Sequence, residues 1–361
     1  MKNSKYWIAF SSIEQIDSAF IKRLYNYSGD IKTAFEYGIK ELSQIEGLSV
    51  KKAENFVKYR DKTDPDKALQ TVIERGIKFY TLDDEKYPQM LYNIDNPPAV
   101  LYYRGDVESC NLNRTLAVVG SRRASSYAKS ALTKILTGLK GTDICIVSGL
   151  AAGIDTTAHT AALSGNLKTI GVIASGFDFI YPTANKQLYE KIQNGNGAVV
   201  SEYFPTFEPV KFRFPQRNRI VSGLSFGTLV AEASLKSGAL ITANLTLEQG
   251  RELMCMPGLI TNPNTEGIYK LLKNGASLVT CFEDILNALN WEIKKEPLEA
   301  GQTELAPDEE KILSAIEIEE KGFDELLAIT KIDVDTLLTS LTMLELKGII
   351  KQVNGDRYGK I

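Results

Sequence analysis

The sequence predicts an α/β protein: an extended, Rossmann-like, doubly wound parallel sheet at 81–290, between a helical domain at 1–80 and, after a linker at 291–305, a winged helix at 306–361. Three observations carry this reading. Seven short apolar runs alternate with helix-length segments from about 112 to 285, as in successive βαβ units. The first 80 residues place apolar side chains at helical spacing without strand alternation. A polar stretch holding Pro297, Gly301 and Pro307 sets off a last block of three helical segments and a strand pair.

In the first block Ile39, Leu42 and Ile45 share one helix face. The stretch from Leu42 to Ala53 resembles a helix-hairpin-helix, part of a SAM or helix-hairpin-helix-like domain. Gly47 permits the tight turn, and Ser49 stands where a second glycine belongs. An ordinary helical turn and a phosphate-binding hairpin both fit that pattern.

The sheet runs are LAVVG, ICIVSG, TIGVIASG, AVVSEYF, GTLVAEA, ELMCMPG and ASLVT. They are near-continuously apolar, as strands covered on both faces are. In 308–361, helices at Glu309–Ile316, Phe323–Ile329 and Val334–Leu346 precede strands around Ile350 and Tyr358 that turn at Asn354-Gly355. The third helix is the recognition helix of a winged helix. Its segment, DVDTLLTSLTMLELKG, carries Asp333, Asp335 and Glu345, and no basic residue precedes Lys347. That charge favours a protein-contacting module over a reader of DNA.

Composition narrows the chemistry. The 361 residues carry 42 Lys plus Arg against 45 Asp plus Glu, a net charge of -3, so a polyanion site must come from local clustering. Cys110, Cys145, Cys255 and Cys281 are widely spaced and are expected as reduced, buried structural residues of a cytoplasmic protein. No secretory leader or membrane-spanning stretch is read. The single histidine, His159, excludes a histidine-pair metal site and leaves one residue around which a triad could form. No metal site is expected.

The chemistry concentrates at strand ends, where such sheets bind ligands. The first strand ends in Gly120-Ser121-Arg122-Arg123, with Ser125 and Ser126 opening the next helix. Glycine admits a ligand to the backbone, serine offers a hydroxyl, and the arginines offer forked donors for phosphate. Asn111 to Thr142 holds six cations and no acid. The next strand end, Ser148-Gly149-Leu150-Ala151-Ala152-Gly153, fits either ligand approach or helix packing, and Asp155 lies one helical turn before His159. His159 reads as a structural histidine.

The sharpest run is Lys211 to Ser225, where Lys211, Arg213, Arg217 and Arg219 accompany Phe212 and Phe214 with no carboxylate. Cations with aromatic side chains suit a phosphate backbone carrying unstacked bases. Arginines paired with distant carboxylates, and rings anchoring the loop, are the alternative. Ser237 to Ala243 brings hydroxyls to another helix start, and Glu232 is the one obvious acid at this rim.

Taken in order, YPQMLYNIDNPPAVLYYRG, VVGSRR, SGLAAGIDTTAHTAAL, GFDFIYPTANKQL, SEYF, FPQRNRIVSGLS, AEASLKSGALITANLTLEQGRE, MPG and LLKNGA identify the chain as a member of the DNA-processing protein DprA (Smf) family, over residues 87–276. The resemblance implies a bacterial recombination mediator that binds and protects single-stranded DNA and helps load the RecA recombinase in natural transformation or recombination. It implies a homodimer through the Rossmann domain, no catalysis and no cofactor. It carries DNA contact onto Gly120, Ser121, Arg122, Arg123, Lys211 and Phe214, and further onto Lys186, Arg217, Asn218 and Arg219. Arg217 and Arg219 alternatively shape the pocket or loop. Ala152 and Tyr269 depart from the family pattern, which has arginine and asparagine there. The domain also looks like nucleotide phosphoribohydrolases of the LOG group, whose Gly-Gly-x-Gly-Thr-x-x-Glu motif is matched only in part by Phe226 to Glu232. N-glycosidic cleavage and sensing of a free nucleotide are the competing readings.

Overall fold

The computed structural model describes residues 3–195, 197–292, 306–316, 320–346, 349–353 and 357–360. The chain forms two compact units, 1–293 and 294–361. Most of the expected linker lies outside the described residues.

The first unit opens with helices Ser4–Ser11, Ser18–Ser28, Ile31–Glu36, Ile39–Leu42, Val50–Arg60 and Pro65–Glu74. Their starts are written in the sequence: the carboxylates of Asp17, Asp30 and Asp64 accept N–H groups of the first turns, replacing bonds a helix end lacks. Trp7, Phe10, Phe35 and Phe56 fill their core, with Phe10 stacked on Phe56 at 5.2 Å. The hairpin between the fourth and fifth helices turns at Gly47, φ 74°. Ser49 Oγ accepts from Lys52 N at 3.3 Å, so the serine caps its own helix.

All seven apolar runs form strands: β3 Thr115–Val119, β4 Cys145–Ser148, β5 Thr169–Val172, β6 Gly197–Ser201, β7 Gly227–Val230, β8 Glu252–Cys255 and β9 Ser277–Leu278. They are mutually parallel. Two strands escaped the sequence reading, β1 Lys78–Thr81 and β2 Val100–Gly105. They pair antiparallel with each other, and β2 pairs antiparallel with β6. The sheet order is β1-β2-β6-β5-β4-β3-β7-β8-β9. Alternate residues enter opposite cores: Ala117, Val119 and Val147 one, Leu116, Val118 and Ile146 the other.

Cys110, Cys145 and Cys255 are buried as expected. Cys281 is half-buried, because it is the residue that starts helix Phe282–Ala288.

The second unit has helices Pro307–Ile316, Phe323–Thr330 and Val334–Leu346 around Ile312, Leu326, Leu337, Leu341 and Leu344. Strands β10 Lys321–Gly322, β11 Ile350–Gln352 and β12 Arg357–Lys360 form an antiparallel sheet ordered β10-β12-β11. This is a winged helix with one strand more than the sequence predicted. The expected Asn354-Gly355 turn lies outside the described residues.

Candidate nucleic-acid interface

From β3 the chain winds through β4 and β5 to β6, then returns to β7 on the other flank of β3. The crevice beyond the carboxyl ends of β3 and β7 is therefore the switch point at which such sheets take ligands. A cleft of about 710 Å³ opens there. Its walls include Gly120, Ser121, Arg122, Arg123, Lys211, Phe214, Arg217 and Asn218. Lys186 and Arg219 stand elsewhere. Lys186 is exposed at the start of helix Lys186–Gln193, and Arg219 lines a separate cavity beside the N-terminal helices.

The turn after β3 is held by its backbone. Ser121 N–H donates to the Glu232 carbonyl at 2.7 Å, Ile154 N–H donates to the Ser121 carbonyl at 3.1 Å, and Arg123 N–H donates to Ser121 Oγ at 3.1 Å. Gly153, φ 82°, packs under this turn, where a Cβ would come within 2.7 Å of the Arg122 carbonyl carbon. That glycine serves packing. The rigid turn leaves the Arg122 and Arg123 side chains exposed.

Arg122 lies over the Phe214 ring, 5.3 Å from its centroid. Tyr181, 51% exposed, meets the same ring edge-on at 5.4 Å. Sequence reasoning passed over Tyr181; the available signal was an aromatic residue in a turn shortly beyond a strand end. Among the described residues, Arg122, Arg123, Lys186 and Lys211 form no ion pair. The cleft is also lined by Ser234, Ser237 and Thr242, at and before the start of helix Ala239–Glu248, and by Asn264 from the turn Pro263–Thr265.

The cation run divides. Its three arginines belong to helix Arg213–Gly223, which turns fully every 3.6 residues and cannot aim every cation into one groove. Lys211, just before the helix, is exposed. Arg213, 2% exposed, pairs with Glu14 at 2.5 Å. Arg217, 4% exposed, donates to the carbonyls of Gly149, at 2.6 Å, and Val172. Arg219 grips both oxygens of Glu202, at 2.6 and 2.7 Å. The three arginines are engaged with the protein: Arg217 forms the cleft floor, and Arg213 and Arg219 anchor the helix from behind. Asn218, half-buried, lies 3.4 Å from Arg217 Nε through its Oδ1.

Asp155 accepts from the N–H groups of Gly149 and Ala151 at 3.1 and 3.3 Å. Burial pushes its carboxyl up to about 6, against the pull of Arg217, while burial pushes Arg217 down to about 10. His159 is fully buried with Nδ1 2.7 Å from Thr169 Oγ1, away from Asp155, and burial pushes it down to about 3. It is a neutral core residue. Glu232, 1% exposed, accepts from Ser125 N–H and Oγ–H, the latter at 2.6 Å, and so holds the serine whose Oγ caps helix Ser126–Thr137 by accepting from Ala128 N–H at 3.1 Å. Among the described residues no group of three His, Cys, Asp or Glu could hold a metal ion, and no helix is long and apolar enough to cross a membrane.

The family described as DNA recombination-mediator protein A matches residues 78–290, and the DprA winged helix domain matches residues 296–356. Protein Smf of Synechocystis sp. is 32% identical over 99% of both chains. DNA processing protein DprA of Streptococcus pneumoniae is 44% identical over 57% of this chain and 72% of its own. An X-ray structure of DNA processing protein A (DprA) from Streptococcus pneumoniae superposes with a TM-score of 0.69 at 34% identity, covering 80% of this chain and 97% of that one. A structure of DNA processing protein A from Helicobacter pylori, concerned with its single-stranded DNA binding mode, gives a TM-score of 0.53 at 31% identity, covering 59% and 96%.

Proposed function

The chain belongs to the DNA recombination-mediator protein A family, and from that premise we propose that it is a single-stranded DNA-binding recombination mediator. It protects the strand and helps load RecA in natural transformation or recombination. It acts in the cytoplasm as a homodimer through the sheet domain, and it uses no catalytic step and no cofactor.

The observation that carries the reading is the set of unpaired cations, Arg122, Arg123 and Lys211, around the Phe214 ring in one cleft. Unpaired cations bind phosphates at little cost, because no internal partner is given up. A ring among them offers a face to a base that a duplex would keep stacked. The Helicobacter pylori relative, described for its single-stranded DNA binding, supports the same ligand.

Fluorescence anisotropy of a labelled single-stranded oligonucleotide, competed with duplex and free nucleotides across salt, is the test. Each neutralised phosphate should steepen the slope of log affinity against log salt by about -0.7. Arg122→Ala and Lys211→Glu should abolish binding with the fold intact. Unchanged affinity in both variants refutes the site, and displacement by free nucleotide turns the cleft into a nucleotide sensor.

A further inference from the structure

Arg213 sits between the two residues proposed to meet DNA, Lys211 and Phe214, yet it points away from the cleft. Its guanidinium lies 4.9 Å from the Tyr203 ring centroid, 5.0 Å from Phe207 and 5.7 Å from Phe212. It also donates to the Glu208 carbonyl. Among the described residues the one carboxylate it reaches is Glu14, from the turn between helices Ser4–Ser11 and Ser18–Ser28. Four residues on, Ser18 Oγ contacts Glu202 Oε2 at 3.4 Å and accepts from Ala99 N–H at 3.2 Å, and Glu202 holds Arg219. The N-terminal helices thus reach both arginines that fix helix Arg213–Gly223 from behind. A cavity of about 250 Å³, lined by Glu14, Asp17, Asn96, Glu202, Arg213 and Arg219 among others, lies beside this contact, so at the two arginines these polar links stand next to open space, apart from the apolar core that the helices share with the sheet.

We propose that Glu14, through Arg213, is a positioning residue for single-stranded DNA binding: the N-terminal helical region sets the placement of Lys211 and Phe214. The inference rests on the reading of the cleft as the DNA site. A guanidinium packed near three rings and donating to both the Glu208 carbonyl and the Glu14 carboxylate is fixed in orientation by its planar fork. Without the carboxylate, a buried cation loses its counter-charge, and the start of the helix that it anchors shifts to rehydrate it. Lys211 and Phe214 move with it. Glu14 itself is 55% exposed, so its removal leaves the core intact.

The test is a double-mutant cycle on single-stranded DNA affinity, read by anisotropy at low salt, with melting temperature measured on every variant. Glu14→Ala and Glu14→Gln should each weaken binding, the alanine by about tenfold, with a lowered melting temperature but a transition that stays cooperative, so that affinity is compared on folded protein. In a Lys211→Ala background, Glu14→Ala should cost clearly less than it does in the wild-type background, because one of the two residues it positions is gone. Equal losses in both backgrounds, or wild-type affinity in Glu14→Ala and Glu14→Gln, overturn the inference. If wild type binds single-stranded DNA and Lys211→Ala weakens it while Glu14→Ala does not, only the positioning role falls. If wild type does not bind, the functional reading falls first.

Discussion

Asp155 and Arg217 face each other across Gly149: a Cβ on that glycine would come within 2.8 Å of Asp155 Oδ2 and 2.7 Å of Arg217 Nη2. Both side chains are tied to the backbone at the end of β4, and both line the cleft. The carboxyl titrates near 6, raised by burial above its ordinary 3.8. Below that value it becomes neutral, and the cleft keeps Arg217 and Arg122 without their opposing charge. Single-stranded DNA should therefore bind more tightly as pH falls from about 7.5 to about 5.5. One charge at this range is worth on the order of 1 kcal/mol, or about fivefold. Anisotropy across that window checks it, and Asp155→Asn should flatten the profile; a wild-type affinity independent of pH refutes the coupling.

Glu232 is the residue on which an N-glycosidase reading would depend, yet its carboxylate is used up at the start of helix Ser126–Thr137. Glu232→Gln should lower stability by about 1–2 kcal/mol through the weakened cap. Urea unfolding measures that loss. The same preparation, like wild type, should release no free base from nucleoside monophosphates. Base release by wild type that vanishes in the variant would instead make the protein an enzyme.

His159 is the only histidine, which makes its linkage easy to isolate. Its folded value lies near 3, below the ordinary 6.5, so the unfolded chain binds more protons between those limits. Stability from this group is complete above about 6.5 and is lost as pH falls toward 3. By about pH 4.5 the loss should reach about 3 kcal/mol. Asp155 contributes with the opposite sign: its raised value favours the fold most at low pH and loses that benefit as pH rises through about 6. Urea unfolding at both ends of the window should show His159→Gln losing less stability on acidification than wild type does. An identical loss would mean that the ring protonates without unfolding.

The sheet was legible because its strands are covered on both faces and announce themselves as apolar runs, as at Ile146 and Val147. β1 and β2 were not, since Lys78 is exposed and Phe79 only half-buried at the sheet edge, and Tyr102 hides a hydroxyl that bonds to Ser11. The cleft was legible where its function is local: Gly120 to Arg123 is one turn, and Lys211 and Phe214 flank one helix start. Local sequence could not reveal that Arg213 meets a carboxylate 199 residues away, or that Arg219 is claimed by Glu202 across 17. Charge counting treats buried and exposed arginines alike. Only tertiary packing separates Arg217, on the cleft floor, from Lys211, at its rim.

The winged helix carries its charge in the wrong sense for DNA. Helix Val334–Leu346 begins beside Asp333, whose carboxylate accepts from Thr336 N–H at 2.9 Å, and Asp335 follows in its first turn. Val334, Leu338 and Met343 are 48%, 47% and 46% exposed. A phosphate backbone would meet carboxylates and apolar side chains there, and the counterion release that drives non-specific binding would be missing. Truncation to 1–292 should therefore leave single-stranded DNA affinity within a few fold of the full chain, and the salt slope, set by the cleft cations, should not change. A collapse in affinity, or a slope shallower by about 0.7 or more, would show that this unit contributes phosphate contacts of its own.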